Sequence, residues 1–318
     1  MLAKMRDFLR AGWGGIFSAR LIGLRELLPH QKVQATWVRL VESYAAVPEV
    51  YREFFEPLQS HAGGRAFPYT VLAPSFEGFV HSSSEKLIVD LDRAVHVLER
   101  KGDTFEAQSY PYEGVDCIEV RSMLLDAHIR ITGRTEQGPA ASVTIRFNSV
   151  TDYLFTPILK NIRPAPAGPG DASRGADRDF FDRWLSLNFK FMNYARRSLL
   201  DGDRVLHAML QPEIRATVFT FLGWTYSRAV SPTHACILTG RELILIREEQ
   251  KQNRQDKYGG IWEYIPLKRI VSLSVRASEA GLLALVVELP HGVRFESIFQ
   301  AAAQPDLDQL LARFGEVN

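Results

Sequence analysis

The chain has 318 residues, 46% hydrophobic and 24% charged: enough apolar material for about two cores, and too much for wholesale disorder. Its 38 basic and 37 acidic side chains leave a formal net charge of +1, which excludes a global field that would draw the protein to nucleic acid. Two cysteines, Cys117 and Cys236, fall in predicted strands of different halves. That argues against a disulfide framework and for a reducing compartment, so a cytoplasmic location is expected, extending to the inner face of the membrane.

Residues 1–66 read as an N-terminal helical segment. Leu2, Met5, Leu9, Trp13 and Phe17 recur at helical spacing, and residues 1–29 carry five basic and two acidic side chains. Such a face can lie in a membrane interface, so these five are the candidate membrane contacts. Docking on the protein body is the competing fate, and Gly12, Gly14, Gly15 and Gly23 interrupt any continuous helix. No small-residue cleavage site follows, which argues against a signal peptide, and no apolar run approaches the ~18 residues of a membrane span. Val33, Trp37, Leu40, Val41 and Tyr44 share one face of a second predicted helix, which Pro48 should end or kink.

From 67 to 163 the pattern changes to short runs divided by turn signals. Strands are expected at 69–72, 86–90, 94–99, 117–121, 128–132 and 142–147. Val143, Ile145 and Phe147 alternate with Thr144 and Arg146, the mark of a sheet with one dry and one wet face. By the same alternation His96 should face solvent. A helix over 149–163 closes this half. Residues 164–176, rich in Pro and Gly, predict a linker. A connecting helix over 177–211 starts at Asp177 as N-cap, with Phe180, Trp184, Leu187, Phe191, Tyr194 and Leu199 on one face.

The second β segment, 212–318, is the clearest. Ala235 to Arg247 reads as strand, turn at Gly240, strand. Tyr264 to Val275 and Leu282 to Leu289 follow, then a terminal helix. The two halves superpose as patterns: Arg93 on Arg241, Pro111 on Pro266, Val115 on Ile270, Ile118 on Leu273, Phe147 on Phe295. The second copy contains Leu243-Ile-Leu-Ile246 and Leu282-Leu-Ala-Leu-Val-Val287 without a polar break. Each aliphatic side chain left exposed forfeits about 1.5–3 kcal/mol, so both faces of this sheet must be covered. The cover is the 180–199 helix, the other repeat or another subunit, and Ile244, Ile246 and Val286 are the candidate interface residues.

Leu238-Thr239-Gly240-Arg241-Glu242-Leu243-Ile244-Leu245, followed by Ile265-Pro266-Leu267-Lys268-Arg269-Ile270, resembles the bacterial pleckstrin-homology-like domains. The resemblance covers about 210–318, with a weaker copy over 67–163. It implies an α+β fold of two seven-stranded, partly open β-barrels, each closed by a C-terminal helix. These motifs are structural and carry no chemistry. The loops that hold several Lys and Arg in phosphoinositide-binding relatives have no basic residue before Lys86 in the first copy and only Arg228 in the second.

No catalytic, cofactor or metal constellation emerges. Eight histidines are scattered without metal-ligand spacing, and Asp126-Ala-His128 is a chance-level pair. Glu113, Asp116 and Glu119 supply carboxylates with no sign of a cleft. The loop over 247–260 has mixed charge and reads as a solvated hairpin tip. The expectation is a non-catalytic tandem module, with no cofactor, that binds a protein partner or itself. The alternative is a peripheral membrane protein anchored by residues 1–29.

Overall fold

A computed structural model describes residues 36–60, 66–77, 82–168, 175–221, 224–249 and 259–317. It is a mixed α+β structure of several antiparallel sheets. The first half contains β1 (Arg39–Val41), α1 (Arg52–Ser60), β2 (Tyr69–Ala73), β3 (Phe76–Glu77), β4 (Ser82–Ser83), β5 (Lys86–Leu91), β6 (Ala94–Lys101) and β7 (Thr104–Pro111). Next come β8 (Val115–Met123), β9 (Asp126–Arg134), β10 (Ala140–Asn148), α2 (Thr156–Ile162) and α3 (Pro164–Ala167). After α4 (Phe189–Ser198), the second half holds β11 (Val205–Gln211), β12 (Ile214–Phe221), β13 (Trp224–Ser231), β14 (His234–Thr239), β15 (Glu242–Arg247) and β16 (Gly260–Pro266). It ends with β17 (Ser272–Ala277), β18 (Leu283–Glu288), β19 (Arg294–Phe299) and α5 (Gln304–Val317).

One plan is used twice. β2, β5, β6 and β7 form an antiparallel meander, as do β11, β14, β15 and β16. A hairpin interrupts each meander after its first strand, β3–β4 in one and β12–β13 in the other. Each meander ends in a proline, Pro111 or Pro266, followed by one 3-10 turn. The Tyr112 N–H donates to the Arg93 carbonyl at 2.8 Å, and the Leu267 N–H to the Arg241 carbonyl at 2.9 Å. Each copy then has three antiparallel strands, β8–β9–β10 or β17–β18–β19, and a helix. The ladders correct one correspondence. Ile118 lies opposite Ile131 and Ile131 opposite Val143, while Leu273 lies opposite Val287 and Val287 opposite Phe295. Phe295 is therefore the counterpart of Val143, and Phe147 that of Phe299.

The halves share a sheet. β16 pairs with β8, so one seven-stranded sheet runs β10-β9-β8-β16-β15-β14-β11 through both copies. This explains the unbroken apolar run over 243–246; the run over 282–287 lies in β18, in the separate three-stranded sheet. On one face Ile237, Ile244 and Ile246 pack with Phe181, Trp184, Phe191 and Ile162. On the other, Leu238, Leu243 and Leu245 pack with Leu285, Val287, Phe299, Leu307 and Leu310. Both covers come from the chain itself.

Several expectations change. Leu40 and Val41, placed on a helix face by their spacing, lie in β1, which extends the first sheet by pairing with β2. Leu187 is 71% exposed, because the connecting helix breaks after Trp184 and restarts at Asn188, whose side chain caps the Phe191 N–H at 3.1 Å. Asp177 holds the N-cap position of a 3-10 helix over Arg178–Trp184, but its side chain makes no cap bond to that helix; its carboxylate accepts from the Val205 N–H at 3.2 Å. Gly240 needs no positive φ, since Thr239 Oγ1 closes that turn on the Arg241 and Glu242 N–H groups. In the first copy the matching turn does reach positive φ, at Asp92 and Arg93. Pro164–Ala167, expected as linker, forms α3, with Pro166 and Ala167 buried.

Candidate functional site

The second face of the seven-stranded sheet changes character along its width. From β11 to β15 it is apolar and lies under β17–β19 and α5. At the seam it turns polar, because β8 and β9 present Glu119, Arg121, His128 and Arg130. Alternation puts these on one face, opposite Ile118, Val120, Ile129 and Ile131 in the core.

Glu119 and Glu263 meet as direct cross-strand partners at the seam. His128 Nε2–H donates to Glu119 Oε1 at 2.7 Å, and this bond holds the Glu119 carboxyl below the usual range. Glu263 is nearly fully buried, and burial pushes its carboxyl up to about 7. The Arg247 guanidinium, 2.6 Å from Glu263 and 4.0 Å from Glu119, pulls the other way without overcoming desolvation. Arg121 bridges Asp126 and Glu249, the latter at 2.9 Å. Carboxyls whose proton affinities are pushed apart are a pattern found in acid–base sites. Here neither carboxyl is among the residues that line the neighbouring cleft, and each already has a cation beside it.

A cleft of about 340 Å³ opens nearby, between the base of the β12–β13 hairpin, the outer ends of β14, β15 and β16, and β19. Arg247 joins it to the seam. Its walls carry Val230, Ile261 and Ile298 beside Ser231 and Ser297. Its carboxylates are paired: Glu248 with Lys190 at 2.8 Å, Glu249 with Arg121, and Glu296 with Arg294 at 2.9 Å. His234, also on the wall, is buried, which lowers its proton affinity and keeps it neutral. Its Nδ1–H donates to the Pro232 carbonyl at 2.9 Å, and Nε2 is itself buried, without a hydrogen-bond partner among the described residues, so it does not open onto the cleft. Such a cleft suits a segment that brings hydrogen-bond donors and apolar side chains.

Among the residues singled out from sequence, Leu2, Met5, Leu9, Trp13 and Phe17 lie outside the described residues. Ile244, Ile246 and Val286 are 0% exposed, so they are interior side chains and present no surface to a partner. His96 does not face solvent: it is buried, contacts Ser109 at 2.8 Å and packs against Phe54. Asp126 and His128 turn to different partners, Arg121 and Glu119. Burial raises the Asp116 carboxyl, 3.6 Å from Arg269, whereas the Glu113 carboxyl is held low by Arg93. Both cysteines are free and buried, and burial pushes the Cys236 thiol up to about 12. Glu263 and His234 were missed, and Glu119 was named without its partner, because their setting is made by strands far apart in sequence.

Among the described residues there is no cluster of three or more metal-ligating side chains, and no helix long and apolar enough to cross a membrane. No protein-family model matches the chain, and no curated protein matches it.

Proposed function

We propose that the chain is a non-catalytic tandem module of the pleckstrin-homology-like kind that recognises a protein partner or itself. The observation that carries this reading is the repeated plan: meander, proline and 3-10 turn, three strands, helix, with matching turn hydrogen bonds at Tyr112 and Leu267. The two partly open barrels of that family correspond to β2, β5–β10 with α2 and to β11, β14–β19 with α5. Here they share one sheet. The cleft beside Ser297 is the recognition surface, because it combines apolar walls and hydroxyls with carboxylates that are already paired.

The test uses the full-length protein as bait against extract from its native host, beside a Ser297→Trp variant that fills the cleft. The expected result is a protein captured by the native chain, lost with the variant, and then shown to bind directly when purified. Unchanged capture by Ser297→Trp would remove the cleft from the account. Vesicle flotation that disappears on Trp13→Asp substitution, with no protein captured, would favour the membrane-anchored alternative.

A further inference from the structure

The β8–β16 seam joins the last strand of one copy's meander to the first strand of the other copy's three-stranded sheet. It does not close on itself. The counterpart strands, β7 and β17, are edge strands of their own sheets and do not pair with each other. A head-to-tail contact of this kind leaves one unused edge of each type per chain, and an edge strand presents backbone donors and acceptors ready for pairing. We propose that β17 of one molecule pairs antiparallel with β7 of a second copy, repeating between chains the seam found within one.

The internal correspondence fixes the register. Leu273 matches Ile118, and Ser109 matches Tyr264 through Pro111 and Pro266. The seam pairs run from Gly260 opposite Ser122 to Tyr264 opposite Ile118. Transcribed to the free edges, they place Phe105 opposite Ala277, Glu106 opposite Arg276, Ala107 opposite Val275 and Gln108 opposite Ser274. A fifth pair, Ser109 with Leu273, is blocked, because the Ser109 carbonyl already accepts from the Glu136 N–H at 2.9 Å.

This register brings opposite charges together. The Glu106 and Arg276 side chains are 69% and 54% exposed. Their present partners are loose surface contacts, Lys101 at 3.7 Å and Glu288 at 3.4 Å. Directly opposed unlike charges favour a strand pair, and like charges oppose it. On β17, among the described residues, no backbone–backbone hydrogen bond outside the β17–β18 ladder reaches Leu273, Val275 or Ala277.

This deepens the self-recognition half of the proposed function and is separable from the cleft, since Ser297→Trp alters neither β7 nor β17. The test is sedimentation velocity of the full-length chain over a wide concentration range. The weight-average mass should rise with concentration above that of one chain. Glu106→Arg or Arg276→Glu should weaken association at least tenfold, and the two together in one chain should restore it. As a second readout, a Glu106→Cys chain mixed with an Arg276→Cys chain should form a mixed disulfide under mild oxidation, and neither chain alone should. The native thiols are buried and stay silent. A single-chain mass at every concentration with no mixed disulfide would overturn the proposal, as would equal cross-linking in the unmixed chains.

Discussion

Glu263 lies directly across the seam from Glu119, and the protein drives the two carboxyls apart: His128 holds Glu119 low, while burial lifts Glu263 to about 7. A carboxyl raised above its unfolded value of 4.5 binds its proton more tightly in the fold. Its favourable contribution is present below pH 4.5 and lost as pH rises to 7. Glu263→Gln mimics the protonated form and removes that loss. Relative to the native chain, the variant should be about 2.5 kcal/mol more favourable at pH 8 than at pH 5. Thermal unfolding at the two pH values checks this, and an equal difference at both would contradict it.

The two copies are also tied by a buried ion pair. Arg163, following α2, donates to Glu242 Oε2 on β15 at 2.8 Å and to the Ser198 carbonyl at 2.8 Å, and it stacks 3.6 Å from the Tyr264 ring centroid. The side chains are 8% and 1% exposed. Glu242→Ala strands the guanidinium in the interior and should cost about 3–5 kcal/mol. Replacing both by Met and Leu should recover most of it. Denaturant unfolding of the single and double variants measures the difference.

Ile244 is covered on its own face by the connecting helices and the first copy. Ile244→Ala should cost about 2–5 kcal/mol through lost burial and a residual cavity, with the mass in solution unchanged. A mass change without a stability change would return Ile244 to an intermolecular interface.

Asn188 caps α4 through the Phe191 N–H, where the chain re-enters helix after an exposed Leu187. Asn188→Ala should lower stability by about 1 kcal/mol, read as a shift of the denaturant midpoint at unchanged slope. Asp177→Ala removes no side-chain cap bond but loses the bond to the Val205 N–H.

The strands that alternate cleanly, such as β9 and β10, were legible, as were the Pro111 and Pro266 turns, because their signals are local. β1 was not. Val33, Trp37, Leu40, Val41 and Tyr44 satisfy a helical period, and only pairing with β2 makes 39–41 a strand. β7 was missed because Thr104–Pro111 is an edge strand with mixed polarity. The need to cover both faces of β14 and β15 was written in their aliphatic runs; the 180–199 segment and the first copy, both among the candidate covers, take one face, whereas the cover of the other by β17–β19 and α5 was not legible. Glu263 reads as an ordinary polar residue between Trp262 and Tyr264, and only the β8 strand beside it makes it a buried carboxyl facing another.

The central claim is that two copies of one plan are fused through β8 and β16 into a single sheet. Amide hydrogen exchange over 118–122 and 260–264 tests it most directly. The account predicts protection there equal to that of β14 and β15 and lost in the same cooperative step. Rapid exchange across both stretches, while β14 and β15 stay protected, would show two separate sheets and contradict it.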